Sequence, residues 1–280
     1  MASSSSLARV VFSTVAFAYT ASALVRPLGP ANRIIVSPSV AKADFLNLGS
    51  DLAAAVNGGA EWLHFSVQDG RMVPKISFGA PVVAACRDSF PSTVFDVKLG
   101  CVEPEHRVAD FIKAGADILS VHPESTVQLG AVINKIDSAG VAAGVVLNPG
   151  TSVDSVEHVL DQCKVAVVML VRPTIQRLAV VLIYELINIY IFSQVNPGYG
   201  GPKYMKQAIL KIKQLRRLKP DLHISVDGGV SEKNAGELIG AGANVLVAGG
   251  GVFKAVDKSA AIHSLKTCPA IPTSLSALTY

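Results

Sequence analysis

At 280 residues and 29.2 kDa the chain has room for one α/β barrel plus additional segments. Half of its residues are hydrophobic, 16% are charged and the mean hydropathy is +0.43, which excludes a disordered chain without a core. The formal charge of +4 is not gathered into a Lys/Arg cluster with interleaved aromatics, so nucleic acid is not an expected partner.

The chain opens with Arg9, an apolar run over 10–19 and then Ala21-Ser22-Ala23, the small-x-small pattern of a signal-peptidase site. Residues 1–23 therefore read as a signal peptide rather than a membrane span. Residues 24–33 carry Arg26 and Arg33 but no acid, the first acidic residue of the chain being Asp44, and this is transit-peptide composition. Together the two stretches resemble the bipartite presequences of algae with secondary plastids, so a plastid destination is expected, with secretion as the alternative.

From Ile34 on, short runs rich in Val and Ile alternate with segments of helical period. The predicted strands cover 34–37, 62–67, 93–98, 118–122, 143–147, 165–170, 223–226 and 245–248. The predicted helices begin near Leu48, Pro81, Pro104, Val127, Ser155, Tyr204, Asn234 and Asp257. Eight such pairs favour a single-domain TIM (β/α)8 barrel over 34–268, with a C-terminal tail over 269–280 and the chemistry at the C-terminal strand ends. Gly59-Ala60, Gly115-Ala116 and Gly242-Ala243 each close a helix shortly before a strand, where glycine suits a left-handed cap. Cys86, Cys101, Cys163 and Cys268 form no CxxC pair and read as small core residues.

Residues 171–194 interrupt this order, standing between a predicted strand and a glycine-rich turn. Their apolar stretch is short and broken by Glu185, so it does not read as a membrane span. It also exceeds the usual two to six residues of a βα loop. Val171-Arg172 is compatible with a splice-donor-like codon pair and Ile191-Phe192-Ser193-Gln194 with a pyrimidine-rich tract ending in CAG, so a retained intron is expected, an added helix over the barrel mouth being the alternative.

Three glycine-rich turns follow the last three strands: Asn196-Pro197-Gly198-Tyr199-Gly200-Gly201, Asp227-Gly228-Gly229 and Gly249-Gly250-Gly251. Glycines let backbone amides crowd a phosphate, and barrels often bind phosphate after strands seven and eight. A phosphate-bearing substrate is the expectation.

The segments Ser37-Pro38-Ser39-Val40-Ala41-Lys42-Ala43-Asp44-Phe45, Asp69-Gly70-Arg71-Met72-Val73-Pro74, Val102-Glu103-Pro104-Glu105, Gly144-Val145-Val146-Leu147-Asn148-Pro149-Gly150-Thr151, NPGYGG and VDGGV resemble ribulose-phosphate 3-epimerases, in order, from about Ile34 to Ala255. The resemblance implies a metal-dependent barrel interconverting ribulose 5-phosphate and xylulose 5-phosphate in pentose-phosphate or Calvin-cycle metabolism. Its substrate is a small sugar phosphate, its metal zinc, iron or manganese, and a homo-oligomer is compatible with it. Inversion at carbon 3 needs acid/base groups on both faces of the substrate, and the family supplies two aspartates with a divalent metal held by these and two histidines. His64 matches the first histidine and Asp227 the second aspartate, as ligand and acid/base group. Ser66, however, stands where the first aspartate belongs and Lys98 where the second histidine belongs.

A serine is no base near neutral pH without an activator, and an ammonium repels a divalent cation. These departures leave open a non-catalytic sugar-phosphate-binding homologue. They also leave open a lysine-based, metal-independent chemistry, since Asp96-x-Lys98 resembles the D-x-K-x-x-D strand of orotidine monophosphate decarboxylases, with Cys101 in the third place. For substrate binding the resemblance implies Ser39, His122, Gly198, Tyr199, Gly200, Gly201, Gly228, Gly229, Gly249 and Gly250, the last replacing a serine. Asp69 and Asp96 are expected to bond neighbouring turns, and no chemistry is expected of His106, His158, His223 or His263.

Overall fold

The computed structural model describes residues 26–170 and 202–272, so the expectations for 1–23, for 171–194 and for Gly198, Tyr199, Gly200 and Gly201 lie outside the described residues. Eight parallel strands follow one another around a barrel: β1 (Ile35–Pro38), β2 (Trp62–Gln68), β3 (Val94–Gly100), β4 (Ile118–Val121), β5 (Ala142–Leu147), β6 (Val165–Met169), β7 (His223–Asp227) and β8 (Val245–Ala248). Each pairs with its sequence neighbour, β8 pairs with β1, and a single bridge between Ser39 and His64 joins β1 to β2, so the expected TIM barrel is what forms. Every predicted strand is present to within two residues.

Side chains alternate along each strand, and because both faces are covered the strands read as nearly continuous apolar runs. One set, Ile35, Trp62, Val94, Ile118, Val146, Val165, Val167 and Val245, fills the barrel interior near its foot. The alternate set, including Leu63, Phe65, Phe95, Val97, Leu119, Val145 and Ile224, packs outward against the helices. Each such side chain contributes about 1.5–3 kcal/mol by leaving water. Counting upward in twos from the inward apolar layer gives a polar middle layer of Ser37, His64, Asp96, Ser120 and Ser225, and above it Ser66, Lys98, His122 and Asp227. The fold thus carries its inward polar residues towards the C-terminal rim.

The helices begin where the apolar period and the turn residues place them, at Leu48–Asn57, Ala80–Ser89, Leu129–Ser138, Pro202–Leu218, Glu232–Ala241 and Lys258–Lys266. Two differ from expectation. The turn at Pro104 is a short 3-10 helix, with α-helix only over Val108–Lys113, and the segment near Ser155 stays 3-10 over Asp154–Val159. Gly59, Gly115 and Gly242 have φ of 102°, 88° and 114°, so all three helix-closing glycines are left-handed as expected.

At the foot, Gly115 and Gly242 belong to two similar clamps. Arg87 donates to the carbonyls of Gly115, Phe90 and Thr93 and to Asp117, while Asp117 also accepts from the backbone N–H of Phe95. Arg216 donates to the carbonyls of Gly242, Pro220 and Leu222 and to Asn244 Oδ1, which accepts from the N–H of Ile224. A Cβ on Gly115 would lie 2.8 Å from Arg87, and one on Gly242 3.0 Å from Arg216, so the close approach also requires glycine. Residues 26–33, transit-like in composition, lie against this foot. Arg26 pairs with Asp117 at 2.8 Å, Arg33 with Glu61 at 3.1 Å, the Gly29 carbonyl is 3.2 Å from His223 Nε2, and Leu28 packs on the inner apolar layer.

Candidate functional site at the barrel mouth

The sequence neighbours of the C-terminal strand ends become spatial neighbours because adjacent strands run in register. His64 pairs with Asp96, Ser66 with Lys98, Lys98 with Ser120, and Met169 with Asp227. His64 and Asp96 are fully buried, and His64 Nδ1 lies 2.7 Å from Asp96 Oδ2. A carboxylate accepting from Nδ1–H turns Nε2 towards the barrel axis, where it has no hydrogen-bond partner and stands 3.7 Å from Asp227 Oδ2. Asp96 was expected to serve a neighbouring turn. It instead orients His64, because β3 sets it directly beside the imidazole inside the barrel.

Lys98 is nearly as deeply buried, its side chain 4% exposed, and its ammonium donates to Asp227 Oδ2. The ammonium also donates to the thioether of Met169, 3.5 Å away. Burial alone would raise the Asp227 carboxyl; the Lys98 ammonium, then His64 and a backbone N–H, outweigh that and hold it below the ordinary carboxylate value. His122, the next inward residue on the β4 path, is 3% exposed, and burial with help from Lys98 pushes its imidazole down to about 3. Ser66 lies beside Lys98 in the β2–β3 register and is buried, its backbone carbonyl accepting from Ser77 Oγ.

Around these groups are the turns. Gly228 and Gly229, directly after Asp227, adopt successive left-handed φ values of 108° and 74°, a conformation glycine takes without strain. Ser39 is buried after β1, and Gly249 closes against the Lys42 stem, which would come within 2.7 Å of a Cβ there. Gly250 begins a short helix, Gly250–Phe253, straight after β8. Asp69 does bond turns, accepting from the N–H groups of Arg71, Met72 and Val102. His106 and His158 lie in 3-10 helices, His263 in the last helix, and His223 at the foot against Asn244, all away from this cluster. Cys86, Cys101 and Cys163 are buried free thiols, whereas Cys268 is half-exposed.

The ribulose-phosphate 3 epimerase family profile matches residues 35–182 and 174–253, in two stretches that overlap inside the anomalous segment. The chain belongs to the ribulose-phosphate 3-epimerase family. It is 43% identical over 239 residues to the chloroplastic ribulose-5-phosphate-3-epimerase of Arabidopsis thaliana, covering 83% of this chain and 76% of that protein. It is 39% identical to ribulose-phosphate 3-epimerase of Bacillus subtilis, covering 83% of this chain and 98% of that one. Among solved structures it resembles 3-hexulose-6-phosphate synthase from Salmonella typhimurium, with TM-score 0.60, 13% identity and coverage of 84% and 98%. A second is 3-keto-L-gulonate-6-phosphate decarboxylase from Vibrio cholerae, with TM-score 0.57, 13% identity and coverage of 84% and 97%. These structural likenesses show the fold alone.

Of the four positions that the family pattern assigns to a divalent metal, His64 and Asp227 are available and correctly gathered, and His64 is oriented by a carboxylate as metal-binding histidines are. The other two do not fit. Ser66 offers a hydroxyl in place of an anion, and Lys98 puts a positive charge on the very carboxylate oxygen a metal would need. No group of three or more His, Cys, Asp or Glu side chains suited to a metal occurs among the described residues. Met169 was missed by residue-type reasoning, and Asp96, named there beside Lys98, was not assigned its contact with His64. Their signal was the alternation itself, since each lies on the inward phase of its strand beside a residue already singled out.

Proposed function

We propose that the protein acts on a pentulose phosphate, interconverting ribulose 5-phosphate and xylulose 5-phosphate by proton transfer at carbon 3. The observation that carries this reading is Asp227: an ionised, largely buried carboxylate at the end of β7, held between the Lys98 ammonium and His64 and followed at once by a double-glycine turn. A carboxylate at that depth is placed to take a proton next to a carbonyl, with the sugar's phosphate against the turns after β7 and β8. In this reading Ser39 and His122 line the sugar, with Gly228, Gly229, Gly249 and Gly250 on the phosphate side. His122, kept neutral, can donate or accept a hydrogen bond without adding charge. Ser66 on the opposite side offers a hydroxyl rather than a base, so proton return there falls to water.

The test is a coupled epimerase assay with ribulose 5-phosphate, on the protein with and without 171–194, alongside D227N. Turnover that vanishes in D227N supports the reading. A wild-type protein that binds pentose phosphate but neither epimerises it nor exchanges its C3 hydrogen with solvent would identify a non-catalytic binder instead.

We further propose delivery to a plastid, supported by the presequence composition and by the chloroplastic relative. Cleavage ahead of Arg26 is the version that keeps Leu28 and the Arg26–Asp117 pair with the barrel. Self-association is proposed from the exposed Phe45, Leu46, Ile76 and Val127 on loops after β1, β2 and β4, and sedimentation checks it. No described helix is long and apolar enough to cross a membrane.

A further inference from the structure

Resting on the pentulose-phosphate reading, we infer that Lys98 is the cation that holds the anionic enediolate in this site, in the place where the family pattern calls for a divalent metal. A buried ammonium is costly unless it is paired and hydrogen-bonded, and Lys98 is paired with the one residue positioned to take the substrate proton. Its three N–H donors face, among described neighbours, one carboxylate oxygen and one thioether, a weak acceptor. Donor capacity is therefore left for an oxyanion entering from the mouth. Beside the pair His64 Nε2 is buried without a hydrogen-bond partner, 3.7 Å from the same Asp227 oxygen.

The charge balance suits enolisation. The C3–H bond breaks, Asp227 takes the proton, the freed electron pair forms the C2–C3 double bond, and the carbonyl pair moves onto the C2 oxygen. One negative charge disappears from Asp227 as one appears on that oxygen, so Lys98 faces a single anion before and after the step. Donors preset for developing charge are the largest catalytic term in such sites. A water proton delivered to C3 on the opposite face reforms the C2 carbonyl and leaves hydroxide there; on product release Asp227 gives its proton to solvent, which neutralises that hydroxide and restores the carboxylate. A divalent cation bound to Asp227 would have to displace the ammonium from its carboxylate.

The probe is a four-carbon phosphorylated hydroxamate, a mimic of the enediolate, titrated calorimetrically into protein dialysed against EDTA. Tight binding to the metal-free wild type and binding weakened about 10²- to 10³-fold in K98M is the expected result, with K98R retaining most of the affinity. Inorganic phosphate, which lacks the enediolate portion, should bind K98M and wild type alike, a split that general loss of structure does not produce. Thermal unfolding checks that K98M folds, and K98Q makes the same test if it does not. The inference is overturned if the mimic binds wild type only after Mn²⁺ or Zn²⁺ is added, or binds K98M as tightly as wild type. The epimerase assay fails or succeeds separately. Lys98-dependent mimic binding without turnover would remove the activity and leave the charge assignment standing.

Discussion

The foot and the mouth of the barrel handle buried charge in opposite ways. At the foot, Asp117 accepts from Arg26, Arg87 and the Phe95 N–H, and Arg87 reaches three carbonyls besides, so every charge has several partners. The Arg216–Asn244 clamp repeats the arrangement on the other half of the barrel with an amide in place of the acid. At the mouth, Lys98, Asp227 and His64 share few partners, and several buried polar atoms beside them have none. A fully partnered network rigidifies, whereas the unpartnered polar atoms at the mouth call for an explanation, which the pentulose-phosphate reading supplies. The difference marks which end of the barrel serves stability and which serves chemistry.

Variants at the two ends should therefore move different observables. The largest effect is expected from D227N, which keeps an oxygen acceptor for Lys98 but removes the base: kcat per folded molecule should drop about 10²- to 10⁴-fold in the ribulose 5-phosphate assay, with urea unfolding reading what loss of the Lys98 ion pair costs. Retained turnover would show that Asp227 is not the base. R87A should do the reverse, costing about 3–5 kcal/mol in urea unfolding by stripping a partner from buried Asp117, with kcat per folded molecule little changed. D96N sharpens the mouth side, because Asp96 acts through His64. It should lower kcat about 10- to 100-fold while leaving the unfolding midpoint close to wild type, and D96E should recover part of the loss.

His122 supplies a pH test. Its imidazole titrates near 6.5 when unfolded and at about 3 when folded, so the unfolded chain binds the extra proton between those values. The contribution of this group is fully present above pH 6.5 and is lost as the pH drops towards 3, by at most about 1.4 kcal/mol per pH unit. H122Q should flatten that acid slope in urea titrations between pH 7 and pH 4. The smallest effect is G242A, where φ of 114° and the approach of Arg216 predict a loss of about 1–2 kcal/mol with no change in KM.

Much of this was legible in residue order. The eight apolar runs became β1 to β8 because parallel strands covered on both faces need continuous Val and Ile, and the glycines at 59, 115 and 242 closed helices as left-handed caps. His64, Lys98 and Asp227 were also singled out from type and motif alone. The role of Asp96 was not, since a carboxylate two residues before Lys98 serves a turn or an imidazole according to what the adjacent strand places beside it. The 3-10 geometry of Asp154–Val159 was equally hidden, since its apolar spacing suits a helix of either kind. Residues 26–33 show a third limit: their composition is transit-like, and composition does not reveal that they pack against the foot through partners at Glu61, Asp117 and His223.

Residue order alone carried the barrel and the departure from a metal-binding pattern at Ser66 and Lys98, because apolar runs and motif order are properties of one strand at a time. Contacts across the barrel put Lys98 on Asp227, let Asp96 aim His64, and fill the Arg87 and Arg216 clamps at the foot with hydrogen bonds. Those are contacts between strands up to 129 positions apart, and no local pattern carries the distance between two side chains that the closing of a barrel brings together.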